Sequence, residues 1–422
     1  MSEVLPFKGV IYNKEKIRNI SKVLTPPYDI ISPSQQNQYY KKHSNNIIRV
    51  ILGKIYSSDN TKSNKYTRAS KFIKEWLRKE ILIRQNTPAI YFLEEKFVYK
   101  GETKTQLGFI CLIKLQDFSS GLISPHEETI SKPKKDRLKL LQTCKTNLSP
   151  IFSIHLSDNM EEKLKMIIDK KKIKPLFNVQ FAGVQNKLWA ITRTDTIKFI
   201  QKKIAATKII IADGHHRYEA ALAFKDEMKK KQKANKLYDY VMMYLTSINN
   251  KGLVIVPTHR LIKCEKFDFE RFITTIKDSF AIYPVNSLKI CFDKMEKYGA
   301  KVQTFGMYAG NNKFYVLFLK NFKLPSQIKS CHSKEWNKLD VSLLHNFLIP
   351  SLNSEIIDVC YIRDEKDAVN LVNLKKYNIA FFLNSTKLSE VKKIAGLNER
   401  MPPKSTYFYP KLVSGLVINK IS

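Results

Sequence analysis

The chain has 422 residues, of which 43% are hydrophobic and 26% are charged, and this composition is typical of a folded globular protein. Single hydrophobic cores seldom grow beyond about 250–300 residues, so the length predicts at least two domains. The formal net charge is +35, but the lysines are spread along the whole sequence instead of forming one stripe. We therefore expect nonspecific contacts with nucleic acid and no dedicated recognition surface.

The sequence indicates neither a membrane segment nor a disulfide framework. No stretch reaches the roughly 20 apolar residues of a transmembrane helix, and the N-terminus has no basic segment followed by an apolar run. The six cysteines are dispersed without a Cys-x-x-Cys pair, a pattern typical of buried thiols and not of zinc ligands. We expect a cytoplasmic protein without a membrane partner.

The first 115 residues predict both helices and strands. Residues 46–53 form a short apolar run that ends at a glycine, which is typical of a buried strand. Apolar residues then recur at helical spacing over 66–77 and predict a helix. Two apolar runs, 90–99 and 108–115, flank a polar Lys-Gly-Glu-Thr turn and predict a β-hairpin.

Further strands and helices alternate along the rest of the chain. We predict a helix over 133–145, strands over 209–213, 238–248 and 253–257, a hairpin of 302–308 with 314–319, strands over 358–362 and 379–383, and a helix over 386–395. The pattern changes near residue 265. The fold class is therefore α/β, or α+β, with one region over 1–264 and a C-terminal α/β subdomain over 265–422 that closes on the site of the first.

The segment from Ile209 to Ala221 carries the strongest functional signal. An apolar strand reaches a glycine and a helix follows directly, so the unpaired N–H groups at the start of the helix favour an anion. Histidine and arginine side chains add cationic donors, and a guanidinium group can bind two phosphate oxygens at once. Five residues are predicted to bind a nucleotide phosphate: Asp213, Gly214, His215, His216 and Arg217. The alternative is a helix cap with a basic surface cluster.

Several polar strings resemble one family along nearly the full length of the chain. They are Pro6–Gly9, Thr25–Pro33, Ser124–Thr129, Pro257–Arg260 and Met401–Lys411. They occur in the order found in the domain-of-unknown-function 1015 family. In addition, the turn at 213–217 resembles the phosphate-binding turn of the ParB/sulfiredoxin-like fold. These resemblances imply that 1–264 is a ParB/sulfiredoxin-like nucleotide-binding region with family-specific additions, followed by a second mixed α/β unit.

Proteins of the ParB/sulfiredoxin-like fold use this phosphate-binding turn for different chemistry. Sulfiredoxins carry a nucleophilic cysteine where this chain has His215, so a thiolate mechanism is excluded. ParB-like proteins carry a helix-turn-helix unit after the turn, and no such pattern follows residue 230. The Asp-Gly-His-x-Arg sequence is most similar to the turn of proteins that phosphorylate free serine.

The resemblance implies nucleotide-dependent phosphoryl transfer to or from a small hydroxy amino acid, with serine or phosphoserine as the best guess. The cofactors would be ATP or ADP with Mg²⁺, for which Asp213 is a possible ligand, although an Asp at this position is also a common helix cap. The alternative is a noncatalytic, ParB-like nucleotide-sensing regulator that contacts nucleic acid.

Phosphoryl transfer also needs a base near the accepting hydroxyl group. His126, Glu127 and Glu128 combine an imidazole with two carboxylates on a loop, and they are candidates for the base or a metal ligand. The alternative is a solvated loop. Asp29 lies in a proline-rich turn and is either a catalytic carboxylate, a ligand of the substrate ammonium group or an ordinary turn residue.

Two further groups are candidates for substrate binding. His259 and Arg260 follow an apolar strand, where α/β proteins tend to place ligand contacts, but a buried core histidine fits the same pattern. Lys404, Ser405 and Thr406 precede three aromatic residues, a composition able to bind phosphate and stack on a base. Packing between domains is the alternative for this group.

Overall fold

The computed structural model describes residues 2–127, 131–158, 160–231, 236–320 and 332–421, without the side chains of 131–133 and 236. The chain forms two compact units. The first consists of Met1–Pro125, Thr129–Leu253 and Pro410–Ser422, and the second of His126–Glu128 and Val254–Tyr409. The sequence placed a boundary after residue 264, whereas the chain enters the second unit at Val254 and returns to the first at Pro410.

The first unit combines strands and helices in alternation. Its strands up to residue 253 are β1 (Val4–Leu5), β2 (Val10–Tyr12), β3 (Leu82–Arg84), β4 (Ile90–Tyr99), β5 (Glu102–Lys114), β6 (Ile123–Pro125), β7 (Thr146–Asn147), β8 (Ile151–His155), β9 (Phe177–Phe181), β10 (Val184–Ile191), β11 (Ile209–Asp213) and β12 (Tyr240–Ser247). Its α-helices are α1 (Pro33–Lys42), α2 (Ile48–Ile51), α3 (Lys65–Arg78), α4 (Ser131–Cys144), α5 (Met160–Lys170), α6 (Thr194–Ala205) and α7 (His215–Lys230).

A mixed sheet forms the centre of this unit. Among the described residues it has nine strands in the order β6-β11-β8-β12-β5-β4-β10-β9, with β1 beside β5. The β6–β11 and β8–β12 pairs are parallel, and the other pairs are antiparallel. Tyr218, Ala221 and Phe224 of α7 join the same buried core as Ile209 and Ile211 of β11. This packing fixes the start of α7 at the end of β11.

The second unit is built on a separate antiparallel sheet. Its strands are β13 (Val254–Val256), β14 (His259–Cys264), β15 (Phe280–Val285), β16 (Thr304–Tyr308), β17 (Phe314–Leu319), β18 (Ile356–Ile362), β19 (Ile379–Leu383) and β20 (Tyr407–Tyr409). Its α-helices are α8 (Phe269–Ile276), α9 (Leu288–Gly299), α10 (Lys334–Asn337), α11 (Asp340–Leu343), α12 (Glu365–Asn373) and α13 (Leu388–Gly396). Six strands follow the order β15-β17-β16-β19-β14-β18, and β13 pairs with β20.

The C-terminal residues return to the first unit and are held there by backbone pairing. Strand β21 (Asn419–Lys420) pairs with β7, and the Ser414 N–H donates to the Thr25 carbonyl over 2.8 Å. The Ser414 hydroxyl also lies 2.7 Å from the Ser149 hydroxyl. The C-terminal residues therefore belong to the first unit.

The α/β fold class predicted from the sequence is confirmed. The helices near 66–77, 133–145 and 386–395 are present, as are the hairpins of β4 with β5 and β16 with β17. No helix in the described part of the chain is long and apolar enough to cross a membrane.

The strand predicted over 46–53 is wrong, because Ile48–Ile51 forms the short helix α2. The Asn46 side chain accepts a hydrogen bond from the Ile48 N–H over 2.9 Å and donates to the Lys22 carbonyl over 2.8 Å. These bonds begin a helical turn whose apolar side chains are buried. A short apolar run does not distinguish a strand from a buried helix by periodicity.

Candidate functional site

The turn between β11 and α7 requires glycine for two reasons. Gly214 has a φ of 94°, in the left-handed region that favours glycine. A Cβ atom at this position would lie 2.6 Å from Nη2 of Arg217. The guanidinium group therefore lies directly against the glycine, at the N-terminal end of a 16-residue helix.

Contacts within the first unit hold Arg217 in this position. Its Nη1 donates to the Pro150 carbonyl over 2.5 Å, and its Nη2 lies 3.7 Å from Oδ2 of Asp213. Its Nε is buried and has no hydrogen-bond partner among the described residues. The guanidinium group is thus fixed in place with part of its hydrogen-bonding capacity unused.

Asp213 lies between two cations. Nζ of Lys411 is 3.4 Å from its Oδ2, and the Lys411 side chain is only 10% exposed. Burial alone would raise the pKa of Asp213, but the positive charges of Lys411 and Arg217 outweigh it and hold the pKa at about 2. Asp213 is therefore ionised at neutral pH. Lys411 is absent from the sequence-based site, although it ends one of the family-like strings.

Asp29 belongs to the same group of charges. It lies in a short 3₁₀ turn, Tyr28–Ile30, that follows Pro27. Asp29 is exposed to solvent, but the protein atoms around its carboxyl group and the negative charge of Asp213 raise its pKa, against the opposing effect of Lys411 and Arg217. The structure therefore brings together Asp29 and the 213–217 turn, two stretches that sequence reasoning selected separately.

The two histidines occupy the first turn of α7. His215 is 5% exposed, and its positive charge would further lower the pKa of Asp213. His216 is partly buried. All five residues predicted to bind phosphate thus lie at one strand-to-helix junction.

Arg217 also lines a crevice that is partly open to solvent. Its walls are mostly apolar and come from Leu140, Leu141, Leu148, Ile151, Ala220 and Val241. Arg137, which also lines it, stacks on the Tyr28 ring at 3.8 Å from the ring centre and donates from Nη1 to the Ile51 carbonyl over 2.9 Å. Apolar walls with a few convergent cations suit a ligand that is part apolar and part anionic.

Of the predicted catalytic loop, His126 and Glu127 lie in the second unit, and Glu128 lies outside the described residues. Nε2 of His126 is 2.5 Å from Oγ1 of Thr406 and 3.7 Å from Oε2 of Glu127. That carboxylate oxygen is buried without a hydrogen-bond partner in the described chain. His126, Glu127 and Thr406 therefore form one polar cluster.

Arg260 is also in the second unit and is almost fully buried, with 1% exposed. It donates to the main-chain carbonyls of Thr258 and Lys404, the latter over 2.9 Å. Burial lowers its pKa to about 10, against the effect of nearby Tyr361 and Glu127. The guanidinium group thus ties β14 to the segment around Lys404.

His259 lies among aromatic rings in the second unit, at 5.2 Å from Phe382 and 5.7 Å from Phe292. Its Nδ1 accepts a hydrogen bond from the Leu383 N–H over 3.2 Å, and burial and Arg260 lower its pKa to about 4. The imidazole is therefore neutral at pH 7.

The other predicted substrate residues follow along the same segment. The Lys404 side chain is exposed. The Ser405 hydroxyl donates to the Pro402 carbonyl over 2.6 Å. Contact of these residues, or of His259 and Arg260, with a substrate stays a prediction.

No group of three or more His, Cys, Asp or Glu side chains in the described residues is arranged to hold a metal ion. Mg²⁺, however, is commonly held by one or two carboxylates together with phosphate oxygens and water. Asp213 is the carboxylate that the sequence suggests as a Mg²⁺ ligand, and this role stays a prediction.

The fold and this site define an α/β protein in which a left-handed glycine joins a strand directly to a helix, with two histidines and an arginine in the first turn of that helix. The chain belongs to the family described as "Protein of unknown function (DUF1015)", whose model matches residues 4–342. No curated protein is detectably similar to it.

Solved structures with a similar arrangement share little sequence with this chain. A conserved hypothetical protein from Pyrococcus furiosus is 13% identical with a TM-score of 0.35, over 74% of this chain and 95% of that one. A free serine kinase in complex with AMP is 12% identical with a TM-score of 0.36, over 71% and 86%. SbnI with a C-terminal truncation, from Staphylococcus aureus, is 11% identical with a TM-score of 0.37, over 74% and 87%. These values are too low to carry an activity over to this chain.

Proposed function

We propose that this protein binds a nucleotide at the 213–217 turn and transfers a phosphoryl group to or from a small hydroxy amino acid, with serine or phosphoserine as the substrate. One observation carries the proposal: the Arg217 guanidinium lies across Gly214 at the start of α7. A fixed planar cation at a helix N-terminus is suited to phosphate oxygens.

The charges around the turn support a phosphate site. Arg217 and Lys411 both approach Asp213, and Asp29 interacts with the same three residues, so the group contains two cations and two carboxylates. A phosphate that approached this group would interact with both cations and with the N–H groups at the start of α7. Because Gly214 has no side chain, the Arg217 guanidinium can lie against the backbone of the turn.

The crevice beside Arg217 supports a nucleoside as the rest of the ligand. Its walls are largely apolar, and Thr146 and Asn147 add polar atoms. An apolar crevice with few polar groups accommodates a base by burial and orients it through hydrogen bonds.

Asp29 is the best candidate for the base in the first unit. Its raised pKa makes it a stronger proton acceptor than an ordinary carboxylate. In the kinase direction it would take the proton of the substrate hydroxyl as the new O–P bond forms. The bond between the transferred phosphorus and the bridging oxygen of the nucleotide breaks, and Arg217 and Lys411 stabilise the charge left on that oxygen. Mg²⁺ held by Asp213 would neutralise phosphate charge.

His126 and Glu127 are the alternative acid–base pair, in the second unit. Their polar cluster with Thr406 contains a buried carboxylate oxygen without a hydrogen-bond partner. A Glu127→Gln variant tests this role in the same assay. A loss of turnover in that variant, with Asp29→Asn active, would transfer the role of the base to Glu127.

Phosphorus NMR tests the proposed function directly. The protein is incubated with Mg²⁺, serine and either ATP or ADP, and in reverse with phosphoserine and ADP or AMP. We expect phosphoserine to form or disappear at the same rate as the nucleotide is converted.

Asp29→Asn should lower turnover by about 10²-fold or more while nucleotide affinity changes little. Asp195→Asn is the matched control, because that carboxylate pairs with Arg193 at an exposed position. Absence of phosphoryl exchange with every nucleotide would contradict the proposal.

A further inference from the structure

A second, strongly basic surface lies on the first unit, in a groove between α3 and the end of α4. Its lining includes Thr67, Ser70, Lys71, Lys74, Arg78 and Thr143, and we call it the α3 groove. Three hydroxyl-bearing residues and three cations therefore share one concave surface. Hydroxyl groups and cations together are the donors that proteins use for phosphate oxygens.

The cations of the α3 groove are spaced to act together. Lys71, Lys74 and Arg78 follow the i, i+3, i+7 spacing that places residues on one face of a helix, and all three are exposed. None of them forms an ion pair with a carboxylate in the part of the chain that the structure describes. Glu75, which also lines the groove, is paired with Lys79 at 2.7 Å. The charges of Arg78 and Lys71 also lower the pKa of Glu75, after the larger effect of Lys79, so the stripe formed by Lys71, Lys74 and Arg78 keeps a net positive charge.

More cations extend this charge beyond the groove. The pKa of Lys420 is lowered because burial and the positive charges of Arg84, Lys145 and Lys74 disfavour its own charge. Lys74 therefore interacts with the cations around Lys420 and also belongs to the stripe of Lys71, Lys74 and Arg78. The electrostatic repulsion among these side chains would be relieved by a bound polyanion.

We propose that the α3 groove binds the phosphodiester backbone of a nucleic acid without reading its sequence. The stripe from Lys71 to Arg78 extends about 10 Å along the helix axis, enough for contacts to about three phosphates. The groove lining contains no aromatic side chain on which a base could stack. Since this surface is formed by other residues than the 213–217 turn, it does not depend on the proposed phosphoryl transfer.

The salt dependence of DNA binding tests the proposal. Fluorescence anisotropy would follow a labelled duplex of roughly 20 base pairs between about 50 and 200 mM KCl. The test variant combines Lys71→Ala, Lys74→Ala and Arg78→Ala. Three lost phosphate contacts should flatten the log–log salt slope by about 2.7, so the wild type loses about 40-fold more affinity than the variant over this range.

A matched variant separates the groove from the general charge of the protein. Lys198→Ala, Lys202→Ala and Lys203→Ala remove the same number of exposed cations from α6 of the same unit. This control should keep the wild-type salt slope, and both variants should keep wild-type nucleotide affinity. Equal losses in the two variants, or no loss in the groove variant, would overturn the proposal. Loss of binding only to anionic lipid vesicles, with DNA binding intact, would overturn it as well.

Discussion

Two histidine–arginine pairs occur at β-strands in this protein, and their surroundings differ. His216 and Arg217 follow β11 in the first unit, whereas His259 and Arg260 begin β14 in the second. The sequence predicts ligand contact for both pairs. Arg217 keeps 15% of its side chain exposed beside Asp213, while Arg260 is 1% exposed and donates to main-chain carbonyls.

The difference lies in the backbone around each arginine. A left-handed glycine ends β11 before Arg217, so the strand stops and the side chain lies at the start of a helix. Arg260 stays within a strand that pairs with β18 and β19, and buried carbonyl groups occupy its donors. We therefore propose ligand binding for the guanidinium group at the glycine turn, and a role in stability for the one inside the sheet.

The largest effect on stability is expected for Arg260→Ala. The substitution leaves the buried Thr258 and Lys404 carbonyls without their donor and creates a cavity, at a cost of about 3–4 kcal/mol in the free energy of unfolding. Urea denaturation measures this change. Arg271→Ala, at an exposed position on α8, should change the free energy by less than about 0.5 kcal/mol. A loss below about 1 kcal/mol in Arg260→Ala would show that Arg260 is not a structural residue.

A smaller effect on stability is expected for Gly214→Ala, which should destabilise the fold by about 2 kcal/mol. Part of the cost is the positive φ, and part is the overlap of the new Cβ with the Arg217 guanidinium. Gly183→Ala is the matched control, because Gly183 has a φ of 80° but no heavy atom within 4 Å of an added Cβ. The control should cost about 1 kcal/mol and leave nucleotide affinity unchanged, whereas Gly214→Ala should weaken it. If the two alanine variants lose the same stability and keep the same nucleotide affinity, the contact between Gly214 and Arg217 has no part in nucleotide binding.

The smallest effect is a pH dependence that arises from Asp213. Its pKa is about 2 in the folded protein, below the ordinary value of 3.8. The carboxylate therefore stabilises the fold above about pH 4, and this contribution of about 1–2 kcal/mol is lost as the pH falls toward 2. Chemical denaturation between these pH values should show a weaker dependence in Asp213→Asn. Parallel curves for the wild type and the variant would contradict the pairing with Arg217 and Lys411.

Local patterns in the sequence were sufficient to predict much of the fold. Helix α3 follows from the helical spacing of its apolar residues, and the β4–β5 hairpin follows from two apolar runs on either side of a polar turn. The run at 46–53 is too short for this signal, and the Asn46 side chain decides its conformation through hydrogen bonds to Ile48 and Lys22. Side-chain capping of this kind has no periodic signature.

The candidate site was predicted in part for a similar reason. The 213–217 turn is contiguous, so its glycine and cations are visible in the sequence. Lys411 and Arg137 reach the site from distant segments, since only the return of the C-terminal residues and the packing of α4 bring them there. The apolar walls of the crevice look like ordinary core residues in the sequence.

Calorimetric titration of Arg217→Ala with ADP and ATP tests the central claim most directly. Loss of a charged, bidentate contact should weaken nucleotide binding by about 2–3 kcal/mol, which is about 30- to 150-fold in Kd. Arg193→Ala, which removes an exposed arginine paired with Asp195 in the same unit, should bind like the wild type. Wild-type nucleotide affinity in a folded Arg217→Ala protein would contradict the assignment of the 213–217 turn as the phosphate site.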